Sequence, residues 1–68
     1  MVLRNRLKAI RAARGLTQAD LAVMTGVSRK TINTIENEVF IPSTFLALSL
    51  AAALDLKVEE IFFLDPGG

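Results

Sequence analysis

LTQADLAVMTGVSRKTINTIEN, residues 16–37, is the stretch whose reading decides the fold, because it writes the start of a short helix twice. The Thr17 hydroxyl can accept from the free N–H groups of a first helical turn, and Leu16 and Leu21 around it are spaced as a hydrophobic staple. Asp20 falls in that first turn, where the helix dipole favours an anion. The arrangement returns with Val27 before the cap, Ser28 as the cap and Ile32 as the staple partner. Between the two, Gly26 can take a left-handed conformation at no steric cost, so the first helix is expected to end there and the chain to turn sharply into the second. Helices are expected over roughly 18–25 and 29–36.

In the second helix Ile32 and Ile35 share one face, while Arg29, Lys30, Asn33 and Thr34 take the other. Arginine can bond guanine through two hydrogens, asparagine can do the same with adenine, and threonine can offer a methyl to thymine. The outer row therefore has the residue types that a helix in a major groove needs. On an isolated helix the same row would read as a solvated polar face. Two stapled helices about a glycine turn make it a helix-turn-helix signature instead.

Length and composition narrow the rest. A chain of 68 residues is one small domain, which buries only about 60% of its unfolded surface and is marginal as a monomer. With no cysteine or histidine there is no disulfide framework, no zinc-ligand spacing and no thiol or imidazole for catalysis. The acids are scattered with no glycine-rich phosphate loop, so the expectation is a non-enzyme with no cofactor, no metal and no small-molecule effector. No apolar run reaches the ~20 residues of a membrane span, and Arg4, Arg6 and Lys8 have no apolar run behind them as a leader would. A soluble cytoplasmic protein is expected. The net charge of +1 divides unevenly: residues 1–30 hold seven basic residues against one acid, or +6, and residues 31–68 hold one against six, or −5. Such asymmetry suits a molecule with one face toward phosphate.

Taken in order, residues 2–14 read as a helix on Leu3, Leu7 and Ile10, stopped by Gly15. Pro42 pushes Ile41 out of the helical region, and Ser43 caps a fourth helix to about Leu54. A fifth covers about 58–63, and residues 65–68 read as a frayed tail after a single domain at 1–64. No strand-length alternation is visible. The expected core is Leu3, Leu7, Ile10, Leu16, Leu21, Ala22, Val27, Ile32, Ile35, Leu50, Ala51, Leu54, Leu56 and Ile61.

The run LTQADLA, GVSRKTI, IEN, IPS and VEEIF resembles the Cro and phage-repressor (XRE-type) helix-turn-helix family over nearly the whole chain. The resemblance implies an all-α, compact five-helix, lambda-repressor-like DNA-binding domain whose third helix enters the major groove, usually as a homodimer on a two-fold symmetric operator. Carried over by position, it implies backbone contacts at Gln18 and Asn37, joined by Thr17 and Ser28 at the helix starts. It implies base contacts at Arg29, Lys30 and Asn33, with Thr34 beside them. It also pairs Arg11 with Glu36, and an acid on a helix facing phosphate would otherwise repel it.

Three departures stand out. Glu38 occupies a place where the family commonly has glycine, so the turn is expected from Asn37 or an extended residue. Asp55 and Lys57 replace the usual glycine and serine, leaving the last helix weakly capped. Thr44 to Leu54 carries no charge at all, and a helix apolar on every side must be covered on every side. Phe45, Leu48 and Ala52 are therefore the expected surface of a homodimer, extended by Phe40 and the pair Phe62-Phe63 near the same end of the chain, of which Phe62 and Phe63 cannot both point inward. The functional expectation is a sequence-specific double-stranded DNA-binding transcriptional repressor. The alternatives are an antitoxin, a restriction-system controller, or an interaction module that kept the fold and lost DNA binding.

Overall fold

Side-chain oxygens set the helix starts. In the computed structural model, which describes residues 1–67, the order is β1 (Val2–Asn5), α1 (Leu7–Ala13), α2 (Gln18–Thr25), α3 (Arg29–Glu36), α4 (Thr44–Ala53), α5 (Val58–Ile61) and β2 (Phe62–Asp65). Thr17, Ser28 and Ser43 each accept the backbone N–H three residues on, from Asp20, Thr31 and Leu46. Asp20 returns the bond by accepting Thr17 N–H at 2.9 Å, which completes a capping box. Gly26 ends α2 at φ 72°, ψ 26°, where a side chain would be strained.

The five helices stand as expected, but the fold is not purely all-α. β1 and β2 form a two-stranded antiparallel sheet with Val2 opposite Asp65 and Asn5 opposite Phe62. The helix expected over 2–14 therefore begins only at Leu7, and the one expected over 58–63 ends at Ile61. Leu3 still packs against the core, but from a strand. Asn5 makes the break: its Oδ1 accepts Leu7 N–H at 3.1 Å while its Nδ2 donates to the Ile35 carbonyl at 3.0 Å. Asp65, assigned to the tail by sequence, is the last residue of β2; Gly68 lies outside the described residues.

The core gathers Leu7, Leu21, Ile32, Ile35, Leu50, Leu54 and Ile61, all fully buried. Every expected core residue is buried there or packed against it. Leu46 and Phe62 complete the core and were not among those expected. In α4, Leu46, Leu50 and Leu54 fall four apart, so one stripe of this all-apolar helix enters the core. Arg14 donates to the Leu54 carbonyl, tying the end of α1 to the exposed dipole end of α4.

Among the described residues, the two non-glycine residues at positive φ are Glu38 at 61° and Asp55 at 54°. The turn after α3 is thus made by Glu38 itself, not by Asn37, which keeps φ −85°. Glu38 Oε2 accepts Asn5 N–H at 3.3 Å and Oε1 lies 3.6 Å from Arg4 Nη1. These contacts hold a conformation that costs a side-chain-bearing residue roughly 1–2 kcal/mol.

Candidate nucleic-acid interface

α3 stands on Ile32 and Ile35, both fully buried, so its opposite side is turned to solvent. Arg29, Lys30 and Asn33 are exposed there. Asn37 joins the same row, its Nδ2 donating to Asn33 Oδ1 at 3.2 Å across one helical turn. Thr34 stands apart: it is half-buried and its hydroxyl donates to the Thr31 carbonyl. The Thr17 and Ser28 oxygens are engaged as caps, and Ser28 Oγ also meets Thr31 Oγ1 at 3.0 Å.

The brace behind the row is the Glu36 carboxylate. Arg11 Nε donates to Oε2 at 2.6 Å and Arg11 Nη2 to Oε1 at 3.2 Å, a two-pronged pair. Gln18 Nε2 adds a third donor to Oε1 at 3.0 Å. The Glu36 side chain is 2% exposed and that of Arg11 13%, so the pair sits nearly out of water. The Glu36 hydrogen bond raises the Arg11 pKa above its ordinary value, against the opposing effect of burial. Through this carboxylate α1, α2 and α3 are locked together. Gln18 keeps its amide oxygen and its second N–H for an outside partner.

Inside the domain the basic half is largely engaged. Arg4 Nε pairs with Asp65 at 2.8 Å, Arg11 with Glu36, and the Arg6 guanidinium lies 4.1 Å over the Phe63 ring. Lys8, Arg29 and Lys30 form no ion pair among the described residues, so the outward charge gathers at the start of α3 and on α1. Asp20 is exposed, and the hydrogen bonds from Thr17 hold its carboxyl below the usual value, the backbone bond first.

Sequence reasoning missed the groove beside α3. It is lined by Ser28, Lys30, Thr31, Thr34, Val39 and Phe40 and holds about 310 Å³. The run Val39-Phe40-Ile41, three apolar residues that follow α3 after Asn37 and Glu38, was the available signal.

Away from α3, Phe45, Leu48 and Ala52 form an exposed stripe on α4, with Phe45 81% exposed. An apolar cleft of about 230 Å³ opens beside it, lined by residues including Leu48, Val58 and Phe62. Phe62 does not belong to that outer surface. It is only 8% exposed and part of the core, because strand alternation sends Phe62 and Phe63 to opposite faces. Phe63 is half-buried beneath Arg6.

The helix-turn-helix family model matches residues 7–61. The chain is 47% identical over 60 residues to an uncharacterized HTH-type transcriptional regulator of Methanocaldococcus jannaschii, an alignment covering 88% of this chain and 91% of that protein. It is 36% identical over 63 residues to another from Bacillus subtilis, covering 93% and 96%. Among solved structures it is similar to the restriction-modification controller protein C.AhdI from Aeromonas hydrophila, with TM-score 0.77 and 36% identity over 81% of this chain and 83% of that one.

Proposed function

This chain belongs to the helix-turn-helix family, and from that premise we propose that it is a DNA-binding transcriptional regulator that lays α3 in the major groove and acts as a repressor on a two-fold symmetric operator. One observation carries the reading: Arg29, Lys30 and Asn33 share the solvent side of a helix whose other side is locked by buried isoleucines and the Arg11–Glu36 pair. A reading helix needs such rigidity, since base contacts are sensitive to small displacements. In this reading Arg29 and Asn33 face base edges, Lys30, expected at a base edge from sequence, meets a phosphate at the margin of the row beside the Val39–Phe40 wall, and Gln18, Thr17, Ser28 and Asn37 meet the phosphate backbone. Thr34, whose hydroxyl hydrogen is given to the Thr31 carbonyl, offers a base its methyl and a hydroxyl oxygen that can only accept.

Phe45, Leu48, Ala52 and Phe63 form the contact of a homodimer in the same reading, which sets two α3 helices about 34 Å apart for successive major grooves. An exposed apolar stripe on so small a domain supports this. Sedimentation equilibrium at micromolar concentration tests it, with Phe45→Glu expected to give monomers; a parent that is already monomeric removes the dimer.

Selection of bound duplexes from a random library tests the function itself. An enriched palindrome is the expected result, and no enrichment would overturn the reading. A second reading draws on the likeness to the controller protein: the regulated genes are those of a restriction-modification system. A reporter driven by a promoter of such a system, silent to added protein, would exclude it.

A further inference from the structure

The groove beside α3 has two unlike walls. One is the start of α3 with Ser28, Lys30, Thr31 and Thr34, and the other is Val39 and Phe40. The second wall is pinned by its backbone: Val39 and Phe40 N–H both donate to the Thr34 carbonyl, at 2.9 and 3.2 Å, and Glu38 N–H donates to the Ile35 carbonyl at 3.0 Å. Val39 is 78% exposed and Phe40 46%, so two apolar side chains stand in water beside the reading row. The polar groups opposite them are hydroxyls that already bond within α3: that of Thr34 donates to the Thr31 carbonyl, and those of Ser28 and Thr31 bond each other. Lys30 is the one charged residue of the lining. A matching ligand carries one anionic group next to an apolar face. A DNA strand presents that pair at every nucleotide, a phosphate beside the carbon face of a deoxyribose. Because Ser28 and Lys30 belong both to the groove and to the outer side of α3, a duplex seated on α3 runs over it.

We propose that Val39 and Phe40 are a contact surface for the deoxyribose of the strand whose phosphate Lys30 meets. They supply affinity through buried carbon rather than charge. The inference rests on α3 being the DNA-facing helix. Phosphate neutralisation releases counterions and makes binding salt-dependent, whereas apolar burial leaves the slope alone.

The test titrates a selected duplex across a salt series with the parent, Val39→Ala/Phe40→Ala, Phe40→Leu and Lys30→Ala. The double alanine variant is expected to lose about tenfold in affinity, given the methylenes removed from contact, at an unchanged salt slope. Phe40→Leu should retain most of the affinity, and Lys30→Ala should flatten the slope by about 0.9 per subunit. The same loss on a duplex with uracil in place of thymine supports the sugar contact; a loss that disappears there overturns it in favour of the thymine methyl. Parent-like binding by the double variant, or a changed slope, overturns the inference while the reading of α3 stands. A double variant that sediments differently from the parent overturns it by moving the two residues to a subunit contact. A parent that selects no duplex overturns both.

Discussion

Glu36→Gln removes one charge from a nearly dry site while keeping its shape, and the structure bounds the consequence. The carboxylate is 2% exposed and receives three donors, two from Arg11 and one from Gln18. Breaking such a pair by deleting one partner costs ~3–5 kcal/mol, chiefly because the remaining charge is left uncompensated. Two features place Glu36→Gln at the low end. The new amide oxygen can still accept one bond, and Arg11 keeps its Nη1 bond to the Leu16 carbonyl at 2.8 Å. About 3 kcal/mol is therefore expected, which for a domain this size lowers the melting temperature by roughly 12–24 °C. A protein of 68 residues has about 3–10 kcal/mol of total stability at ~0.05–0.15 kcal/mol per residue, so the variant loses a large share of it. Thermal melts followed by far-UV circular dichroism measure this at pH 7. Arg11→Met/Glu36→Leu, which removes both charges and fills the space with carbon, should recover much of the loss. Glu36→Gln melting within a few degrees of the parent, or a double variant no more stable than the worse single one, would refute the claim that the pair holds α3.

Three other outcomes follow from the same geometry. Arg29→Ala should cost ~1–3 kcal/mol on the selected site and relax preference at one base pair, while Asn37→Ala should weaken selected and random duplexes alike; equal losses on every sequence for both would erase the division between base and backbone contacts. Gly26→Ala meets no atom within 4 Å of the added Cβ, so its cost is backbone strain alone, ~1–2 kcal/mol, and a melting point equal to the parent's would place the residue outside the left-handed region. The Asp20 pKa is lower folded than unfolded, so its contribution is present above the unfolded value near ~3.9 and is lost as pH falls through the folded one. The melting difference between parent and Asp20→Asn should shrink below about pH 4, and a constant difference down to pH 2 would contradict that.

What the sequence made legible was whatever is local. Caps at Thr17, Ser28 and Ser43, the glycine turn at Gly26 and the inward isoleucines of α3 depend on residues within a few positions of one another. They could be read before any tertiary contact was known. The sheet could not be read in this way, because β1 and β2 are four residues each and lie at opposite ends of the chain. Four residues are too few to display an alternation. Leu3, Leu7 and Ile10 fit one helical face as well as they fit a strand followed by a helix. Asn5 was the signal passed over, since an asparagine just ahead of an apolar periodic run marks a helix start. Which of Phe62 and Phe63 turns inward could not be read for the same reason, since on a strand the two point to opposite faces and the packing of the sheet decides which face meets the core. The all-apolar composition of α4 was legible as an excess of carbon, and its exposed stripe at Phe45 and Leu48 follows from the core's using Leu46, Leu50 and Leu54.

The sheet that escaped the sequence reading also bears on α3. Asn5 reaches the Ile35 carbonyl at the end of α3, and Arg4 and the Asn5 N–H meet Glu38 in the turn beyond it. α3 is thus held at three places: by buried isoleucines beneath, by Arg11 through Glu36, and by β1 at its C-terminal end. Glycine at position 38 would relieve a strain of roughly 1–2 kcal/mol but would release the loop from β1. Against that strain Glu38 sets a partly exposed ion pair with Arg4, worth about 0–1 kcal/mol, and a hydrogen bond from Asn5 N–H, worth about 0.5–1.5 kcal/mol, so the two are of the same size as the strain. Glutamate at this turn therefore trades backbone freedom for a tie to β1, and the tie lies where the pinned segment of Val39 and Phe40 begins.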